Sequence, residues 1–127
     1  HALFGTPWQE IARYHAYLGG ETELATHQVV KGSEFKHVMV IMDDEEAGGT
    51  WFSYDKLFGA EELSPTDLEN VDGGKETTID RTLRLLYVTC SRAEESLALV
   101  LWAKNPATAL EAIKQSEWFT ENELTAL

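Results

Sequence analysis

Val38-Met39-Val40-Ile41-Met42 is an unbroken apolar run, β-branched at Val38, Val40 and Ile41. A run this short and without alternation reads as a strand buried on both faces, and so as part of a parallel sheet covered by helices. The acidic stretch Asp43-Asp44-Glu45-Glu46 ends it. Ahead of it stands a polar loop, Thr26-His27-Gln28-Val29-Val30-Lys31-Gly32-Ser33-Glu34. Lys31-Gly32 sets a cation beside a residue without Cβ, where backbone can approach a ligand closely, and the Glu34 carboxylate follows. Chemistry is expected where this loop meets the strand.

Outward from that strand, helical and extended segments alternate. Thr6-Pro7 opens a helix as N-cap and first helical residue, with Gln9 completing a loose capping box. Trp8, Ile11, Ala12, Tyr14, His15 and Leu18 recur near helical spacing until Gly19-Gly20, as in a packing helix. Glu23 to Val30 reads as a first strand and Phe35 to Met42 as a second. Trp51 to Phe58 is aromatic and is expected to form a short helix on the sheet edge. Gly59 to Lys75 reads as a mobile loop. Thr77-Thr78-Ile79-Asp80 caps a further helix whose buried face at the 3.6 period would be Ile79, Leu83, Leu86, Tyr87 and Cys90. Leu97 to Ala103 reads as a third strand, and Asn105-Pro106 opens a last helix over 107–114, followed by a turn of helix from Thr120. The alternation makes the chain α/β, with a mostly parallel sheet flanked by helices.

The chain has 127 residues, which is one domain on length and enough to bury a core. The absence of Met at His1 fits a fragment or a trimmed chain. No stretch nears the ~18 apolar residues that span a bilayer, so no membrane partner is expected. The single cysteine, Cys90, excludes an internal disulfide and a multi-cysteine zinc site and fits a reducing, cytoplasmic setting. The net charge is −12, which runs against nucleic-acid binding as a whole-chain property. Its distribution is uneven, because residues 43–80 hold 12 acidic and 2 basic side chains. The acidity therefore belongs to an insert, 43–76, expected to be partly mobile.

Arg81-Thr82-Leu83-Arg84-Leu85-Leu86-Tyr87-Val88-Thr89-Cys90-Ser91-Arg92-Ala93, read with Thr26 to Phe35, changes the picture. The two stretches, in this order, resemble the fifth and sixth motor motifs of the UvrD/Rep-like superfamily I DNA helicases, roughly T-x-H-x-x-K-G-L-E-F and R-R-L-L-Y-V-A-x-T-R-A. The resemblance covers residues 23–42 and 77–103. It implies a RecA-like fold of the P-loop NTPase type, with 1–127 a single-domain fragment of the second lobe of a larger helicase. ATP with Mg would lie between the lobes, the metal ligands on the first. No G-x-x-x-x-G-K-[ST] occurs here, so the piece alone is expected to be inactive.

Carried over by position, Arg92 matches the family's arginine that reaches the γ-phosphate, Glu34 its glutamate that accepts from the ribose, and Gly32 its glycine whose backbone lies near the phosphates. Thr26 and Gln28 are the implied DNA contacts. Gln28 stands where the family has histidine, Ser33 where it has leucine, Leu83 where it has the first arginine and Ser91 where it has threonine. Arg84 falls on the second arginine, for which a structural pairing is expected. The implied partners are single-stranded or duplex DNA through the full-length protein, the first lobe of the same chain, and a nuclease working alongside. The alternative is a non-catalytic interaction domain that keeps the motor-lobe fold and docks a protein through its acidic loop and Trp51, Phe52 and Tyr54.

Overall fold

The computed structural model describes residues 8–19, 21–22, 24–47 and 51–126. In chain order the elements are α1 (Trp8–Leu18), β1 (Phe35–Asp43), α2 (Asp44–Ala47), α3 (Tyr54–Leu57), α4 (Pro65–Asp72), α5 (Thr78–Cys90), β2 (Ala93–Trp102) and α6 (Pro106–Gln115), then a 3-10 turn at Glu121–Glu123. The two strands pair in parallel, with Val38 opposite Leu97 and Asp43 opposite Trp102. Between Phe35 and His37 the register shifts, leaving β2 with an additional residue there. A small parallel sheet flanked by helices is thus the observed α/β architecture.

The core lies on one face of this sheet. Val40 and Met42 from β1 meet Tyr54 and Phe58 at α3 and Leu86 of α5, with Val38, Leu99, Leu101, Cys90 and Ile113 packed around them. The expectation that Val38 to Met42 is buried on both faces does not hold. Met39 and Ile41 are 65% and 63% exposed, because the buried cluster gathers on the side of the even-numbered residues and a strand turns alternate side chains to opposite faces.

The expected first strand is absent too. Glu23 lies outside the described residues, Leu24 to Thr26 are not strand, and His27 to Gly32 are turns. The Thr26 carbonyl accepts from the amides of both Val29 and Val30, and the Val30 carbonyl from Ser33, so the segment satisfies its backbone locally instead of in a ladder. β2 begins earlier than expected, at Ala93, because it pairs with Phe35, and it stops at Trp102.

α5 starts where Thr77 and Asp80 predict, in a capping box: the Thr77 hydroxyl accepts from the Asp80 amide while the Asp80 carboxylate accepts from the Thr77 amide. Its inner face is rotated from the apolar reading. Thr78, Thr82 and Leu86 are buried, whereas Leu83 and Tyr87 are exposed. Burying threonine is tolerable here because the Thr82 hydroxyl is fully used: it donates to the Thr78 carbonyl (2.7 Å) and accepts from the Ser53 amide (2.9 Å). α6 opens under the Asn105 cap as expected. Thr6 and Pro7, the expected opening of α1, lie outside the described residues, as does Gly20; Ile11, Ala12, Tyr14 and His15 of that helix are exposed.

Within 59–75, expected as a loop, Ser64-Pro65 starts α4 with its own capping box to Asp67. The aromatic stretch before it divides. Tyr54 and Phe58 enter the core, while Trp51 and Phe52 stay exposed.

Candidate functional site

Gly32 takes φ +87°, in the left-handed region that favours glycine. A Cβ built there would meet nothing within 4 Å, so the requirement is backbone conformation and not space. The turn it makes brings Ser33 and Glu34 onto the start of β1, where the Phe35 amide donates to the Arg92 carbonyl (2.8 Å). Arg92 stands between the end of α5 and the start of β2. Its guanidinium is held on three sides: Nε donates to the Val88 carbonyl (3.0 Å), Nη1 to the Ser33 carbonyl (3.2 Å) and Nη2 to the Ser91 hydroxyl (2.9 Å). One N–H on each terminal nitrogen has no acceptor among the described residues.

The fold therefore links the Gly32–Glu34 turn to Arg92, far away in sequence, through Ser33 and Phe35. Glu34 is exposed. Thr26 and Gln28 are exposed on the preceding turn, and no hydrogen bond links them to Arg92 among the described residues. His27 is half-buried, with its ring edge-on to Phe52 at 6.4 Å and 68°. Arg84 pairs with Glu76 on the exposed side of α5. Arg81 donates through Nε to the Trp51 carbonyl (2.9 Å) and lies over the Trp51 ring (5.9 Å), tying the insert to the same helix.

Sequence reasoning singled out the arginine but not what holds it. Ser33 and Val88 contribute backbone carbonyls, which leave no mark in side-chain identity. Ser91 did leave one, as a hydroxyl adjoining the arginine.

The described residues of the acidic segment 43–76 are tied to one another and to α5 by hydrogen bonds. Asp44 accepts from the Ser53 hydroxyl and from the amides of Tyr54 and Asp55, fixing the start of α3. Asp67, 2% exposed, accepts from Lys56 Nζ (2.8 Å), the Ser64 hydroxyl (2.6 Å) and the Thr78 amide (3.0 Å). Lys56, then Ser64 and the Thr78 amide, hold its carboxyl well below the usual carboxylate range. Burial pushes Asp55 up, against the Lys104 amide that it accepts. Burial, with Asp44 next, raises the Tyr54 phenol to about 12. Among the described residues no group of three or more His, Cys, Asp or Glu could hold a metal ion, and no helix is long and apolar enough to cross a membrane.

No protein-family model matches this chain, and no solved structure does. Over 92 residues, 72% of the chain, it is 35% identical to the Gabija protein GajB of Bacillus cereus (strain HuB5-5), a match that spans 11% of that protein's length.

Proposed function

We propose that this chain is part of the second RecA-like lobe of an ATP-dependent DNA helicase and contributes the arginine finger and a ribose contact to an interlobe ATP site. One observation carries the reading: Arg92 and the Gly32–Glu34 turn are hydrogen-bonded to each other through Ser33, with donors of the guanidinium left over among the described residues. A groove completed by another lobe would place a triphosphate against those donors. The similarity to GajB supports a helicase-related setting, within a much longer protein.

In this reading Arg92 would hold the γ-phosphate and Glu34 the ribose, while Mg and the phosphate-cradling loop belong to the first lobe. A fixed guanidinium in a closed cleft stabilises charge as it develops on the transferred phosphoryl oxygens, without reorganising. Thr26 and Gln28 would face DNA backbone from the turn. A nuclease partner and a cytoplasmic setting belong to the same proposal. The interaction-domain alternative loses ground, because Tyr54, one ring of its aromatic patch, is buried in the core.

The test is Arg92→Ala in the full-length protein, read as ATP turnover with and without single-stranded DNA beside a thermal melt. The expected loss is ~10³-fold or more in kcat with a smaller change in nucleotide affinity. Lys at this position should rescue little, since it lacks the planar fork. A folded Ala variant within about threefold of the parent, under ~0.7 kcal/mol of transition-state stabilisation, would overturn the reading.

A further inference from the structure

We infer that Ser91 is a positioning residue for Arg92, acting together with the Ser33 carbonyl to aim the guanidinium. The inference rests on the arginine-finger reading. The Ser91 hydroxyl donates to the Val88 carbonyl (3.2 Å) and accepts from Arg92 Nη2 (2.9 Å). The same Val88 carbonyl accepts from Arg92 Nε (3.0 Å). Carbonyl, hydroxyl and guanidinium thus close a ring, which fixes the plane of the fork as well as its position.

The third anchor comes from the other segment. Ser33 presents its carbonyl to Nη1 (3.2 Å) from a turn made by Gly32 at φ +87°. With Nη2 held from the end of α5 and Nη1 from the turn, rotation about the last side-chain bonds of Arg92 is restrained. The remaining N–H on each terminal nitrogen is directed by those anchors. A hydroxyl is suited to this place, being able to donate to the carbonyl and accept from the guanidinium at once. An exposed arginine that found its own geometry would lose side-chain entropy on binding phosphate, and the ring removes that loss beforehand.

The proposal is tested in the full-length protein with Ser91→Ala, Ser91→Thr, Arg92→Ala and the double variant Ser91→Ala/Arg92→Ala, each checked by thermal melt. Losing one hydrogen bond to a charged group predicts a drop of about tenfold in kcat for Ser91→Ala, with KM for ATP within about twofold. Ser91→Thr, which keeps the hydroxyl, should recover to within about threefold of the parent. The deciding readout is the double variant. A residue that works only through Arg92 adds nothing once Arg92 is gone, so the double variant should match Arg92→Ala.

An Arg92→Ala variant that is strongly impaired, beside an Ser91→Ala variant with unchanged kcat, would overturn the positioning role and leave the finger standing. A Ser91→Ala loss that persists in full in the Arg92→Ala background would overturn it as well, marking a role independent of the arginine. If Arg92→Ala itself turns over like the parent, both the finger and its positioning residue fall.

Discussion

Around Asp67 the partners are fixed donors from three separate segments and solvent is nearly shut out, whereas around Arg92 the partners are two carbonyls and a hydroxyl and the outer edge of the guanidinium is open. The first arrangement is saturated: carboxylate oxygens meet an ammonium, a hydroxyl and backbone amides, and α3, α4 and α5 are locked together. The second holds a charged group in one orientation, and one N–H on each of its terminal nitrogens has no acceptor among the described residues. A buried charge with all its partners is a structural device, and an oriented charge with donors to spare suits a site completed from elsewhere. In this molecule the strongly acidic insert is the first kind and the near-neutral motif region the second.

The sharpest way to break that contrast is Asp67→Asn. The amide keeps the shape of the carboxylate but leaves the Lys56 ammonium without its counterion and turns an NH2 toward donors. Breaking one side of a buried pair costs about 3–5 kcal/mol, which denaturant unfolding of the chain would measure. The pH dependence has a definite sign. A carboxyl held below its unfolded value contributes stability that is present above about pH 4 and is lost as the pH falls further. Asp55, raised by burial, acts in the opposite sense, since its protonation favours the fold. The parent should lose stability below about pH 4, and Asp67→Asn should flatten that loss. An equally steep acid limb in the variant would move the origin of the pH dependence elsewhere.

Thr82→Val tests how firmly the insert is fastened to α5. Valine fills the same volume but leaves the part-buried Ser53 amide without its acceptor. The expected cost is about 1–3 kcal/mol. A neutral result would mean that water replaces the hydroxyl and that the attachment is looser than the geometry indicates.

These two residues also mark what could and could not be read beforehand. The caps were legible: Thr77 with Asp80 and Asn105 before Pro106 announce α5 and α6 because capping is local chemistry within the first turn of a helix. Ser64-Pro65 with Asp67 carries the same signal for α4, but the glycine-rich and acidic surroundings read as loop. What overrides composition there is long-range: Asp67 is held by Lys56 and by Thr78, each 11 positions away. The false strand before Gly32 has the converse cause. Val29 and Val30 favour strand by propensity, but the Thr26 carbonyl takes both of their amides into a turn. At the candidate site, Arg92, Gly32 and Glu34 were singled out by resemblance alone, whereas the Val88 and Ser33 carbonyls that accept from Arg92 depend on backbone geometry.

β1 runs from one region to the other, from Phe35 beside Arg92 to Asp43 at the edge of the insert, and its two faces give the smallest and finest test. Val40 is 8% exposed and faces Leu86 and Tyr54, whereas its neighbour Ile41 is 63% exposed on the opposite face. Apolar burial stabilises in proportion to the area removed from water, so Val40→Ala should cost about 2 kcal/mol through lost transfer and a residual cavity. Ile41→Ala deletes more methylenes, but from a side chain already in water, and should stay within about 0.5 kcal/mol. The comparison is made on the chain of 127 residues itself. Unfolding both variants under one denaturant series gives the difference directly, with an unchanged slope showing that the same surface is exposed. Equal losses at the two positions would show β1 covered on both faces, as its unbroken apolar sequence first suggested, and the single-faced packing that sets the Arg92 junction at the open end of the strand would have to be redrawn.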